Sequence, residues 1–271
     1  MLRKKIGAGL VGLGAALWTS AASAVPVPWE TNFQPAASLV MERIEDFHKE
    51  LLVIIVLVSL FVLALLVWIV IRYNQRSNPV PSKNAHNTVL EVAWTLIPVI
   101  ILVIIAIPSF KLLYYEAEIP TPDVTIKAIG KQWFWTYEYP SSNFTFDSLG
   151  LSDADAAKKN EPRLLGVDNA ITVPVNKVVE VDTTGADVIH SWALPQMGVK
   201  MDAVPGRINH TWFKATQLGT FYGECSELCG ARHAYMPIEV HVVSDADYAA
   251  WLAGAKKKFA AIDTNTQVAA K

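Results

Sequence analysis

Apolar and polar positions alternate along this chain on three different length scales. The longest apolar runs lie early. "LLVIIVLVSLFVLALLVWIVI", residues 51–71, holds one serine and no charge, and "VAWTLIPVIILVIIAIPSFKLLYY", residues 92–115, is charge-free until Lys111. At 1.5 Å of rise per residue, either run crosses a hydrocarbon core of about 30 Å as a helix. Pro98 and Pro108 would break a soluble helix, but they are tolerated where neighbouring membrane helices re-satisfy the backbone. From Pro120 onward the scale shortens to runs such as "VTIKAIG", "QWFWTYEY", "AITVPV", "KVVEVDTT", "RINHTWFKAT", "GTFYGEC" and "MPIEVHVVS". Gly, Pro and Asn/Asp punctuate them, which predicts an antiparallel β-sandwich or barrel of Greek-key type. Residues 148–165 are polar and alanine-rich, as expected of a surface excursion. Residues 245–259 read as a short helix with Tyr248, Trp251 and Leu252 facing inward.

A shorter apolar run, Ile6 to Trp18, follows Arg3, Lys4 and Lys5 and precedes the small-residue stretch Ala22-Ser23-Ala24. This is the pattern of a secretory signal over residues 1–24. The loop between the two spans carries Arg72, Arg76 and Lys83 with no acid before Glu91, whereas Glu30, Glu42, Glu45, Asp46 and Glu50 outnumber Arg43 and Lys49 ahead of the first span. The charge asymmetry places the short loop in the cytoplasm and both chain ends outside. The expected organisation is therefore a signal at 1–24, a transmembrane hairpin at 25–119, and an exported domain at 120–271.

Composition agrees with this division: 52% of the 271 residues are apolar and only 18% charged. The formal charge of −2 hides a mildly acidic second half, with 19 Asp/Glu against 14 Lys/Arg from Glu116 onward. This argues against nucleic acid and for a basic or neutral partner.

Both cysteines fall in "CSELCGARHAYM", Cys225 to Met236. Export makes a disulfide feasible; a helical i, i+4 spacing would hold the Cβ atoms about 5–6 Å apart, too far for one, whereas a looser loop would allow it. His233 follows Cys229 at +4, Met236 at +7, and His190 lies upstream at the end of a β-type run. An upstream histidine with a Cys–His–Met loop on a β-sandwich suits a cupredoxin-like copper site, because thiolate, imidazole and thioether are ligands copper favours. The second cysteine adds a second thiolate, and two bridging thiolates would hold two coppers. The competing reading is a closed zinc site of His190, Cys225, Cys229 and His233, which leaves Met236 without a role. A membrane-anchored, zinc-stabilised binding or assembly domain is its functional counterpart. His210, His241, His48 and His86 lack partner spacing and read as structural.

With two membrane helices ahead of them, "GKQWFWTYEY", "DVIHSWALP" and "CSELCGARHAYMP" resemble subunit II of cytochrome c oxidase, as do "WTLIP" in the second helix and "DAVPGR" after His190. The resemblance implies a membrane-anchored α+β chain, with a two-helix hairpin followed by an all-β cupredoxin-like Greek-key domain outside a bacterial inner membrane. It implies a dinuclear copper centre, CuA, bridged by Cys225 and Cys229. His190 and Met236 would complete one copper, and His233 and the Glu227 carbonyl the other. Because quinol-oxidising relatives lack these ligands, cytochrome c is implied as donor, with haem and oxygen chemistry in subunit I of a proton-pumping oxidase. The Glu227 carboxylate would reach a magnesium ion shared with subunit I.

The same resemblance makes Trp133 the point where electrons enter. Period two instead places Trp133 with Trp135, Tyr137 and Tyr139 on a core face, a conflict that a bulge or strand end at Trp133 would resolve. Glu91 would mark the mouth of a proton path, although a carboxylate at a helix N-terminus is comfortable on electrostatic grounds alone. Glu138, Asp187 and Asp202 match acidic docking positions.

Overall fold

In a computed structural model, which describes residues 22–27 and 29–259, the first apolar run lies within a helix, α1, Leu39–Arg72, and the second within α2, Thr88–Ala117. α1 begins twelve residues before the expected span. Ser38 caps it by accepting the Met41 N–H, and its hydroxyl donates to the Met197 carbonyl at 2.7 Å. At 34 residues α1 is about 50 Å long, more than the hydrocarbon core requires, so its charged first turns project beyond the bilayer. There Val40 and Met41 are buried, while the apolar windows of both helices are unburied, as lipid-facing or subunit-facing surfaces are.

The exported part is a two-sheet sandwich. One sheet runs β4 (Phe144–Ser148), β3 (Phe134–Tyr139), β2 (Val124–Lys131), β6 (Val179–Gly185), β9 (Asn209–Phe213). The other runs β5 (Ile171–Pro174), β11 (Pro237–Val243), β10 (Gly219–Cys225), β7 (His190–Leu194), β8 (Val199–Ala203). The sheets are mixed rather than purely antiparallel: β2 with β6 and β5 with β11 are parallel pairs. Inward residues of the two sheets, among them Ile126, Trp135, Tyr137, Val181, Trp192, Phe221 and Val240, form one core. The arrangement is cupredoxin-like.

The signal expected at residues 1–24 lies outside the described residues except for Ala22–Ala24, a strand (β1) parallel to Gly219–Phe221 of β10. The polar excursion after β4 contains helix α3, Asp153–Lys159. Its return passes over β10 and β11, where Tyr222 donates to Glu161 and the buried Glu239 carboxylate accepts the Val167 N–H at 2.8 Å. The final helix, α4, spans Asp245–Phe259 and half-buries Tyr248, Trp251 and Leu252, with Phe259 stacked on Phe146.

The hairpin is docked to the sandwich rather than tethered. Trp212 donates to the Glu116 carbonyl at 3.2 Å and meets Tyr115 edge-on, and the Arg43 guanidinium lies 3.5 Å from the Tyr115 ring centroid. Ala37 N–H donates to Gln196 at 2.9 Å from the other side.

Candidate metal centre

His190 opens β7 rather than ending a strand, and Cys225 closes β10, two strands from the same sheet. Backbone pairing sets Cys225 opposite Trp192, so the His190 ring and the Cys225 thiol project from neighbouring strand ends. The following loop folds back over them, fixed at its start by Ser226 N–H donating to the Ser191 carbonyl at 2.9 Å. His233 heads a single 3-10 turn, and Met236 precedes β11.

The donors converge. Cys225 Sγ lies 3.8 Å from Cys229 Sγ, 3.9 Å from His190 Nδ1 and 3.4 Å from the Glu227 carbonyl oxygen. Cys229 Sγ lies 3.5 Å from His233 Nδ1 and 3.5 Å from Met236 Sδ. His190, both cysteines and Met236 are buried, while His233 is half-exposed. Both thiols are free, and their separation is far from a disulfide bond. A closed zinc tetrahedron needs all four donors of a Cys2His2 set on one point. His190, Cys225 and Cys229 offer atoms all within 4.8 Å of one another, but His233 falls outside that group. With a buried thioether against Cys229 as well, the donor chemistry fits copper better than zinc.

Electrostatics differentiate the two thiols. Burial opposes ionisation of Cys225, but hydrogen bonds from His190 and from the backbone at Glu227 and Ser191 outweigh it and bring the thiol to about 7. Burial and the adjacent Cys225 charge push Cys229 up to about 12. Burial would lower His190, yet its contacts with Cys225 and Asp187 raise it. Metal uptake must therefore displace at least the Cys229 proton. The affinity of the metal-free chain for copper is expected to rise at least tenfold per pH unit between pH 6 and 9, and more steeply wherever Cys225 or His190 still carries a proton. Competition titrations between pH 6 and 9 measure that slope, and an affinity independent of pH would contradict it.

Trp133 leaves the core face because it sits in the β2–β3 turn, half-buried, while Trp135, Tyr137 and Tyr139 are buried as expected. Its Nε1 donates to the Cys229 carbonyl at 3.3 Å. Trp135 lies beneath the site, edge-on to His190 and donating to the Met236 carbonyl at 3.3 Å.

Two further residues at the centre carried no separate signal in the sequence pattern. Gln132 donates Nε2 to the Cys229 carbonyl at 2.8 Å, and Gly130 lies directly against the His190 ring. Both fall within "GKQW", but contacts spanning 97 residues in the first case leave no periodic trace.

The other expected residues are dispersed. Glu227 is exposed in the loop. Asp187 joins the centre through His190 Nε2 at 2.8 Å. Burial raises its carboxyl, but hydrogen bonds from His190 and from the Val188 and Gln132 amides hold it below the usual range. Glu138 pairs with Lys127 at 3.2 Å and Asp202 with Lys200 at 3.6 Å. Glu91 lies in the first turn of α2, about 40 Å along that helix from its outer end. His210 meets Asp182 at 2.6 Å and the partly exposed His241 meets the buried Glu239 at 2.7 Å, neither pair belonging to the copper loop.

Residues 124–243 match the family model for the periplasmic domain of cytochrome c oxidase subunit II, and residues 26–112 match that for its transmembrane domain. The chain is 50% identical over 246 residues to a probable cytochrome c oxidase subunit 2 of Rickettsia bellii, covering 90% of this chain and 91% of the relative. It is 45% identical over 248 residues to cytochrome c oxidase subunit 2 of Cereibacter sphaeroides, covering 85% and 82%. The solved periplasmic domain of subunit II of cytochrome oxidase from Bradyrhizobium japonicum is 58% identical and covers 52% of this chain and 99% of that one, with a TM-score of 0.49.

Proposed function

Since the chain belongs to the cytochrome c oxidase subunit II family, we propose that it accepts electrons one at a time from cytochrome c on the outer face and delivers them to haem in subunit I. The chain is a membrane-anchored redox component of an oxidase complex, and its sandwich stands outside the inner membrane. The observation that carries the reading is the pair of buried, unbonded thiols 3.8 Å apart, with Met236 against one of them and the two histidines not converging on a single point. His190, Cys225, Cys229, His233, Met236 and the Glu227 carbonyl would hold two copper ions, with both thiolates bridging. When bound, the copper pair would supply a one-electron redox site.

The chain's own groups do the rest. Strand ends β7 and β10 fix His190 and Cys225, and the packed loop keeps water from the thiols. Trp133 offers a half-exposed indole bonded to the backbone of Cys229, a short connection between a docked haem edge and the centre. The acids Glu138, Asp187 and Asp202 favour a basic donor. The Glu227 carboxylate is exposed in the loop, where it would be available to hold a magnesium ion shared with subunit I. Glu91, at the cytoplasmic end of α2, marks the mouth of a proton path into the same partner.

Rapid mixing of the detergent-solubilised, copper-loaded chain with ferrocytochrome c tests the reading. Reduction is expected to be fast and to slow with rising salt. In Glu138→Gln/Asp202→Asn the second-order rate is expected to fall several-fold at low salt and converge with the unmodified chain at high salt, because exposed charges act mainly on association. Absence of reduction in the unmodified chain would contradict the electron-accepting role. An unchanged salt profile in the double variant would place both acids outside the contact.

A further inference from the structure

Asp187 stands at the rim of the copper loop, yet its carboxylate is committed inward. Oδ1 lies 2.8 Å from His190 Nε2 and accepts the Val188 N–H at 2.7 Å, while Oδ2 accepts the Gln132 N–H at 2.7 Å. The Ala186 N–H donates to the Gly130 carbonyl at 2.9 Å, tying the same hairpin to the end of β2. The carboxylate is therefore held by backbone, with only its remaining 36% exposure available to a partner. His190 is fully buried, and Asp187 is the partner that the fold sets against its Nε2.

We propose that Asp187 is a positioning residue for the metal centre, fixing His190 as the Nε2–H tautomer so that Nδ1 faces Cys225 with its lone pair free. This rests on the copper reading of the site. A ligand imidazole whose other nitrogen donates to a carboxylate is held in tautomer and ring orientation and becomes a stronger donor. Here the carboxylate is in turn oriented by the Gln132 amide, one residue before Trp133. The same Gln132 side chain and the Trp133 indole grip the Cys229 carbonyl. Asp187 thus connects the His190 side of the centre with the turn that also holds its Cys229 side.

A role in docking and a role in positioning separate cleanly in two variants that remove the same charge. Asp187→Asn keeps an acceptor oxygen for His190 and Asp187→Ala does not. With the full chain in detergent, Asp187→Ala is expected to lose about ten- to a hundredfold in copper affinity. Its reduction potential should move upward, because a less electron-rich imidazole stabilises the oxidised centre less. Asp187→Asn should restore most of the affinity. If both variants keep the affinity and potential of the unmodified chain, the positioning role is wrong. Nitrogen NMR of the metal-free chain above pH 8 supplies a readout independent of copper. His190 should be locked as the Nε2–H tautomer in the unmodified chain and mixed in Asp187→Ala, and identical tautomer populations in the two would overturn the proposal. Failure of the unmodified chain to bind two coppers would contradict the functional reading and leave that NMR comparison to decide the tautomer question.

Discussion

Trp133→Phe is expected to slow electron acceptance from bound cytochrome c by orders of magnitude while docking affinity and the copper spectrum stay near those of the unmodified chain. The indole occupies the β2–β3 turn, half-buried, and bonds to the Cys229 carbonyl at 3.3 Å. Phenylalanine keeps much of the packing against Gly230, where the indole approaches closely, but loses the Nε1–H and with it the bonded connection to the loop. Trp135→Phe is the control. That ring is fully buried, sits edge-on to His190 and donates to Met236. Its truncation should cost about 1–3 kcal/mol of stability and disturb the copper spectrum. Single-turnover kinetics and thermal unfolding of both variants decide the matter. If the two lose stability alike with little change in the electron-transfer rate, Trp133 is not where electrons enter.

Gly130→Ala is expected to damage the centre directly, through the His190 ring. A Cβ at Gly130 would lie 2.7 Å from His190 Cδ2 and Cγ and 2.8 Å from its Cβ. Neither side has room to give. Gly130 is paired with Trp135 on one side and Gly185 on the other, and the His190 ring is buried and held by Asp187. Relief requires moving the imidazole off Cys225, so copper affinity should fall at least tenfold, with about 1–3 kcal/mol lost to overpacking. Gly254→Ala in α4, where an added Cβ meets nothing within 4 Å, should instead be neutral or slightly stabilising. Copper titration and thermal melts of the two variants measure the contrast, and equal behaviour would contradict the steric account.

The membrane helices and α4 were legible because their apolar runs are long or helically spaced, and α4 occupies the residues expected of it. The twelve-residue extension of α1 was hidden by its alternating charges, since Glu42 to Glu50 read as a polar lead-in until Val40 and Met41 are seen packed on the sandwich. Strand β7 escaped for the opposite reason. Every residue from His190 to Leu194 is buried, so "HSWAL" shows no alternation. Excursions over the outer faces of the sheets supply that second covering, and no local pattern announces them. The candidate metal donors other than His190 stood out because they sit within twelve residues of one loop. Their supports at Gly130, Gln132 and Asp187 were not recognisable as such, because those roles arise only when distant strand ends meet.

The central claim is that the loop holds two coppers as one redox unit, and electron paramagnetic resonance with metal analysis of the copper-loaded full chain tests it most directly. Two coppers per chain sharing a single unpaired electron are predicted. Cys229→Ser, which removes one of the two bridging thiolates, should abolish the sharing and leave at most a mononuclear centre. Stoichiometric zinc, or one copper with a single-nucleus spectrum in the unmodified chain, would contradict the account.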